Sequence, residues 1–168
     1  MSLHIRPARE ADCADIAAIY NQGIQGRQAT FETRPRTPED IRGWLGNPRY
    51  PVLVAGREDN NVVGWVSASS YRPNREAYAG IAEFSVYVHY LARGQRVGDA
   101  LMDAFIPACA SAGLWKLLSR VFPENAASRA LCARHGFREV GIYEKHGKLD
   151  GVWRDVVIVE RLIEPNLT

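Results

Sequence analysis

LARGQRVGDALMDAF, residues 91–105, sets two arginines and two glycines within six positions and then begins an apolar helical pattern. Val97, Leu101, Phe105, Ala108 and Ala112 fall on one face of the helix that this pattern predicts. Glycine permits positive φ and lets a ligand approach the backbone closely. The free N–H groups at a helix start form a concave anion site. The helix dipole adds roughly 0.3–1 kcal/mol per contact. Arg93 and Arg96 can add charge-assisted hydrogen bonds. The stretch is therefore built like a cradle for a pyrophosphate. It is neither GxGxxG nor GxxxxGK[ST], so the dinucleotide and P-loop patterns are absent. Taken alone, it is also compatible with an ordinary strand–helix turn carrying solvated arginines.

Upstream, YAGIAEFSVYVHY (78–90) reads as a long strand. Before it, PVLVAGRE (51–58) and NVVGWVSASSY (61–71) form a hairpin through Asp59, Asn60 and Asn61. LHIRPA (3–8) is a first strand, and Cys13, Ile16, Ala17, Ile19 and Tyr20 mark a helix ended by Gly23 and Gly26. TPEDIRGWL (37–45) opens with Thr37 as N-cap, Pro38 at the first helical position and an acid at the third. Downstream, Pro107 is expected to kink the helix and Gly113 to cap it. WKLLSRVF (115–122) is a strand and NAASRALCARHGF (125–137) a short helix ending at Gly136. REVGIYEKHGKL (138–149) and GVWRDVVIVERL (151–162) make a last hairpin turning at Asp150-Gly151. The order β-α-α-β-β-β-α-β-α-β-β predicts a mixed α/β (α+β) fold with a mostly antiparallel sheet and about four helices, in one domain over 1–168.

The 168 residues carry a net charge of +2, with 46% apolar and 24% charged residues. That balance gives no reason to expect a nucleic acid or a membrane as partner. No apolar run approaches the roughly 20 residues of a membrane helix, and the N-terminal segment lacks the apolar core of a signal peptide. Cys13, Cys109 and Cys132 form no disulfide or zinc pattern. His4, His89, His135 and His146 have no ligand spacing, so no metal is expected. A cytoplasmic location is the simplest reading.

RGQRVGDAL (93–101) resembles the acetyl-CoA pyrophosphate loop of the GNAT N-acetyltransferase superfamily, whose pattern is Arg/Gln-x-x-Gly-x-Gly/Ala. Arg93 and Gly98 match its ends, while Arg96 stands where the family usually has glycine. A right-handed backbone is expected at Arg96. IRPAREADCADIAAIYN (5–21) and PENAASRALCARHGF (123–137) resemble other elements of that superfamily. ATFETRPRTPEDIRGWL (29–45), AEFSVYV (82–88) and KHGKLDGVWRDV (145–156) resemble its phosphinothricin, arsinothricin and methionine sulfoximine acetyltransferase branch.

The resemblance implies a GNAT-like fold, with a V between the fourth and fifth strands often opened at a bulge, and acetyl-CoA as co-substrate. It implies transfer to a small amino-acid acceptor and a homodimer, with KLDGVWRDV (148–156) bordering the site and the dimer interface and the choice between Trp153 and Asp155 as the ligand contact left open. Glu83 is the candidate general base. Strand alternation puts it on a face with Ile81, Ser85 and Tyr87, and a carboxylate among aromatics would have a raised pKa. Val86, Tyr87 and Val88 would run beside the pantetheine arm. Arg93, Gly94, Gln95, Arg96, Val97 and Gly98 would hold the phosphates, with Asn125 and Cys132 also touching CoA. Cys132 is read as a packing residue in contact with CoA, with protonation of the leaving thiolate as the alternative. Tyr71, Arg72, Arg75 and Tyr78, with Phe31 and Glu32, would receive the acceptor, the arginines clamping its acid group. Acetylation of a protein N-terminus or lysine, and a non-catalytic CoA-binding module, are the other readings.

Overall fold

The computed structural model describes residues 2–168. Its strands are β1 (His4–Pro7), β2 (Val52–Gly56), β3 (Val62–Ser70), β4 (Ile81–Val88), β5 (Lys116–Val121), β6 (Arg138–Leu149) and β7 (Val152–Leu162). Its helices are α1 (Cys13–Gly26), α2 (Pro38–Arg42), α3 (Val97–Ser111) and α4 (Ala126–Arg134). One seven-stranded sheet runs in the order β1-β2-β3-β4-β5-β7-β6. Among the described residues every pairing is antiparallel except β4 with β5. The mixed α/β fold and the element order expected from the sequence are both present.

Alternation along the strands fills the two faces of the sheet differently. Phe84, Ala82, Leu117 and Val121 pack with Leu101, Met102 and Phe105 of α3. On the other face Trp65 and Val54 pack with Ile16, Ile19 and Ile41 of α1 and α2.

The β4–β5 pairing decides where a site can form. It spans only Ile81–Lys116, Ala82–Leu117 and Glu83–Leu118. The Gly80 carbonyl fixes its closed end by accepting the N–H groups of Trp115 (2.8 Å) and Lys116 (3.3 Å). Past Glu83 the strands part into the expected V. No bulge in β4 produces it, because the β3–β4 register is unbroken from Ser70–Ala82 to Gly64–Val88. The expectation of a bulge is corrected accordingly: β4 stays on β3 and β5 leaves. Where the strands separate, the Ser119 hydroxyl donates to the Phe84 carbonyl at 2.9 Å.

The local signals behave as their chemistry requires. Thr37 and Asp40 form the capping box of α2, with N–H to side-chain bonds of 2.9 and 3.3 Å. Asp150 and Gly151 take φ of +51° and +80°, as a two-residue hairpin turn of type I′ needs. α3 continues through Pro107 to Ser111, with Ala112 as C-cap and Gly113 at φ +86° just beyond.

Of the two glycines expected to end the first helix, Gly26 does and Gly23 does not: α1 runs to Gly26 and is capped by Arg27 in the left-handed region at φ +57°. Gly23 lies inside the helix because Tyr87 lies against it. A Cβ there would come within 2.4 Å of the Tyr87 ring.

Candidate active site

A cavity of about 660 Å³ lies where the open V meets the start of α3. Its walls come from β4 (Val86, Tyr87, Val88), the loop into α3 (Arg93, Gly94, Arg96, Val97, Gly98), α4 with its cap (Asn125, Ser128, Arg134) and the end of α1 (Gly23).

The loop explains the opening stretch. Gly94 takes φ +76°, with open space where a side chain would point. Arg96 takes φ +61° and ψ +24°, in the left-handed region. The expected right-handed backbone at Arg96 is therefore wrong: the loop keeps the left-handed turn that suits glycine, and an arginine bears the steric cost of roughly 1–2 kcal/mol. The first bond of α3 runs from the Ala100 N–H to the Arg96 carbonyl at 3.1 Å. The N–H groups of Val97, Gly98 and Asp99 precede that bond, at the positive end of the helix. Arg96→Gly should therefore stabilise the protein by about 0.5–1 kcal/mol, raising the melting midpoint by about 1–4 °C. A midpoint that falls on thermal unfolding would show that the arginine side chain stabilises more than the strain costs.

Gly98 lets α4 come close, since a Cβ there would stand 3.2 Å from Leu131. A cluster that sequence reasoning missed ties the same two helices together. The Asp99 carboxylate receives Arg134 at 3.0 and 3.2 Å and lies 2.8 Å from His135 Nε2. The hydrogen bond from Arg134 holds the Asp99 carboxyl below the usual carboxylate range despite partial burial. An acid beside an anion cradle is thus neutralised. The only sequence signal was an aspartate in a first helical turn, where such residues are common.

On β4 the backbone is directed by alternation. The Phe84 carbonyl points to β5, where Ser119 meets it. The His89 N–H points the other way, to the Val63 carbonyl at 2.8 Å. The N–H and C=O of Val86 and Val88 therefore face into the V. The side chain of Tyr87 stacks on Trp65 and Tyr20, with centroids 4.9 and 5.0 Å away. Burial pushes its phenol well above the ordinary tyrosine range, so it stays protonated.

Two cofactor-side expectations sit differently. The Gln95 side chain turns away to bond the Leu91 carbonyl (3.3 Å) and Arg57. Cys132 is 3% exposed in the α3-side core and does not line the cavity; burial pushes its thiol up to about 11. Asn125 lines the cavity while capping α4. Its Oδ1 accepts the Ser128 N–H at 3.1 Å and its Nδ2 donates to the Gln28 carbonyl at 3.2 Å.

Glu83 sits at the closed end of the V, outside the cavity wall. Its carboxylate pairs with Arg120 of β5 at 3.1 Å, both side chains part-exposed at 28% and 44%. The sequence reading set Glu83 among aromatics and gave it no cation.

The acceptor-side residues fall into two groups, neither lining the cavity. Tyr71 and Tyr78 meet edge to face at 6.0 Å, and the Arg72 guanidinium lies 5.3 and 5.7 Å from their ring centres. Arg75 is exposed at the start of the following 3-10 turn. Phe31 packs edge to face on Phe122 at 4.9 Å, and Glu32 is paired with Arg36 at 2.9 Å. In the last hairpin Trp153 is exposed under Lys148, and Asp155 accepts the Lys145 N–H at 2.7 Å. Among the described residues no group of three or more His, Cys, Asp or Glu side chains could hold a metal.

The model of the Acetyltransferase (GNAT) family matches residues 16–137. The phosphinothricin N-acetyltransferase of Streptomyces coelicolor is 35% identical over 164 residues, covering 95% of each chain. The L-methionine sulfoximine/L-methionine sulfone acetyltransferase of Pseudomonas aeruginosa is 32% identical over 168 residues, covering 98% of this chain and 97% of that one. The crystal structure of a GNAT superfamily phosphinothricin acetyltransferase from Sinorhizobium meliloti, in complex with acetyl-CoA, superposes with a TM-score of 0.88 at 29% identity, covering 96% of this chain and 89% of that one.

Proposed function

The chain belongs to the GNAT acetyltransferase family, and on that premise we propose that it transfers the acetyl group of acetyl-CoA directly to the α-amine of a small amino acid or amino-acid analogue. The observation that carries this reading is the V. It opens one residue past Glu83 and turns the backbone of Val86 and Val88 toward a cavity that ends at the α3 start. The residues suit acetyl-CoA. Gly94 leaves room at a left-handed turn, the α3 N–H groups suit a pyrophosphate, and Arg93 and Arg96 supply countercharge.

Acetyl-CoA supplies an activated acyl group when bound. Val86 and Val88 would offer donors and acceptors to the pantetheine amides, and a free N–H of this strand would stabilise charge growing on the thioester oxygen. Glu83 accepts the amine proton, directly or through a water. The N–C bond forms, the C–S bond breaks, and the thiolate leaves. Holding amine and thioester together can supply about 7–11 kcal/mol. Tyr71, Arg72, Arg75 and Tyr78, with Phe31 and Glu32, form the acceptor side of this reading.

Cys132 has no part in the chemistry. A thiol near 11 gives up its proton less readily than an ordinary thiol near 8.5, so it is a poor donor to a leaving thiolate. Cys132→Ala should change turnover by less than about tenfold. A larger loss in steady-state assays, with the fold intact by circular dichroism, would return Cys132 to the mechanism.

Val140, Ile142, Tyr143, Val152 and Trp153 of the last hairpin are exposed, which supports a homodimer built on this hairpin as part of the same proposal. Three buried free cysteines suit a reducing compartment such as the cytoplasm. Among the described residues no helix is long and apolar enough to cross a membrane.

Isothermal titration with acetyl-CoA, followed by a thiol-release assay with amino acids, tests the function. Binding with acceptor-dependent release is expected. Binding without release would leave only an acyl-CoA-binding module.

A further inference from the structure

Arg120 was not singled out in the sequence, yet its guanidinium is the group paired with the proposed base. It stands on β5 two residues past the last β4–β5 pair, just beyond the closed end of the V. Leu117 and Val121 point into the α3-side core, so alternation turns Leu118 and Arg120 to the opposite face. Glu83 is on that face too, because Ala82 and Phe84 fill the α3-side core. The two side chains meet with Arg120 Nη1 3.1 Å from Glu83 Oε1, and neither is sealed from solvent.

A carboxylate and a guanidinium held side by side form the mirror charge pattern of an amino-acid zwitterion. In an α-amino acid the nitrogen and the carboxyl carbon are each one bond from Cα, about 2.5 Å apart. An amine placed on Glu83 therefore brings its own carboxylate to within reach of whatever stands beside Glu83, and Arg120 stands there. We propose that Arg120 is the residue that binds the acceptor's α-carboxylate, and that the Glu83–Arg120 pair opens by exchanging partners with the incoming zwitterion.

The exchange keeps every charge paired. The ammonium replaces Arg120 on Glu83, and the carboxylate replaces Glu83 on Arg120, so no ion is left uncompensated as the site loses water. A guanidinium suits this role because its planar fork accepts a carboxylate through two parallel bonds. Once the carboxylate occupies Arg120, Glu83 is released to take the amine proton. Arg72, lying over Tyr71 and Tyr78, and Arg75, exposed on its turn, are then left for the far end of a longer acceptor, such as a second acid group. An amine without a carboxylate cannot displace Arg120 in this way and leaves the pair closed.

This proposal rests on the amino-acid acetyltransferase reading above, and the test separates the two. Wild type, Arg120→Ala, Arg120→Lys and Arg75→Ala are assayed with α-amino acids that the wild type accepts and with the matching amines that lack the carboxylate. Binding of each acceptor to protein saturated with CoA is measured by titration calorimetry, which needs no turnover. Arg120→Ala should raise the KM and the calorimetric Kd for α-amino acids by about tenfold to a hundredfold, the range for one hydrogen bond to a charged group. It should not lower kcat/KM for the matching amine, and should raise it because Glu83 no longer has to part from Arg120, while the KM for acetyl-CoA stays within about threefold. Arg120→Lys should recover part of the binding, since it restores charge without the fork. Arg75→Ala should weaken acceptors with a second acid group more than those with the α-carboxylate alone.

Equal losses for amino acids and amines in Arg120→Ala would overturn the proposal and make Arg120 a positioning residue for Glu83. Unchanged amino-acid binding would overturn it outright. Melting curves keep the reading clean, and Arg120→Met, which retains the apolar stem, serves if the alanine variant unfolds. A wild type that acetylates no free amino acid would instead sink the functional reading itself.

Discussion

Glu83→Gln lowers turnover by about 10²–10⁴ at neutral pH and leaves acetyl-CoA affinity within about twofold. The substitution keeps the size and shape of the side chain and removes its capacity to accept a proton. Glu83 does not line the cavity proposed for acetyl-CoA, so binding there has no direct reason to change. The variant also loses the ion pair with Arg120, but a pair this exposed contributes about 1 kcal/mol or less to stability, too little to unfold the protein. Steady-state rates across pH, with titration of acetyl-CoA, read both effects. If the rate and its pH profile both survive, Glu83 is not the base.

Gly23→Ala destabilises the protein by about 1–3 kcal/mol, lowering the melting midpoint by about 2–12 °C, and weakens acetyl-CoA binding. Propensity predicts the opposite, because alanine gains up to about 1 kcal/mol over glycine inside a helix. The Tyr87 ring decides the sign. It would stand 2.4 and 2.7 Å from the new Cβ and is packed in one cluster with Trp65 and Tyr20, which also touch each other at 5.6 Å, so it cannot shift without disturbing that cluster. Gly23 and Tyr87 both line the cavity, which links packing to cofactor affinity. Gly26→Ala is the internal control. It lies in the same helix with nothing within 4 Å of its added Cβ, and it should be neutral or stabilising by up to about 1 kcal/mol. Thermal unfolding of the two variants checks the contrast, and equal midpoints would contradict it.

Local chemistry was the most legible part of the chain. The Thr37 capping box and the Asp150-Gly151 turn each depend on a few adjacent residues, and each forms as its residue types require. Misreadings arose where a distant side chain overrode a local preference. Gly23 looked like a helix stop because glycine is a poor helix former, but its place is set by an aromatic ring 64 positions away in sequence, Tyr87. Arg96 looked right-handed because arginine dislikes positive φ, yet the turn into α3 fixes the backbone first. The V was anticipated from resemblance, while its cause, β5 leaving an unbroken β3–β4 ladder, is a property of strand pairing that no single segment encodes.

The site divides along the same line. Val86, Val88, Arg93, Gly94 and Gly98 were legible because one continuous stretch carries them. Arg120 and the Asp99–Arg134–His135 cluster were not, because each joins residues at least 35 positions apart through contacts that alternation and helical period do not specify. Cys132 was placed near the cavity because a short helix beside a cofactor loop offers two faces, and the structure puts it on the core side.

The most direct test of the account is a thiol-release assay with acetyl-CoA, run separately on each member of one acceptor panel. The panel holds phosphinothricin, methionine sulfoximine, arsinothricin and ordinary amino acids beside simple amines and peptides with free N-termini. The account predicts the highest kcat/KM for a free amino acid or analogue carrying both an α-amine and an acid group. A simple amine or a peptide acetylated faster than every free amino acid would contradict it.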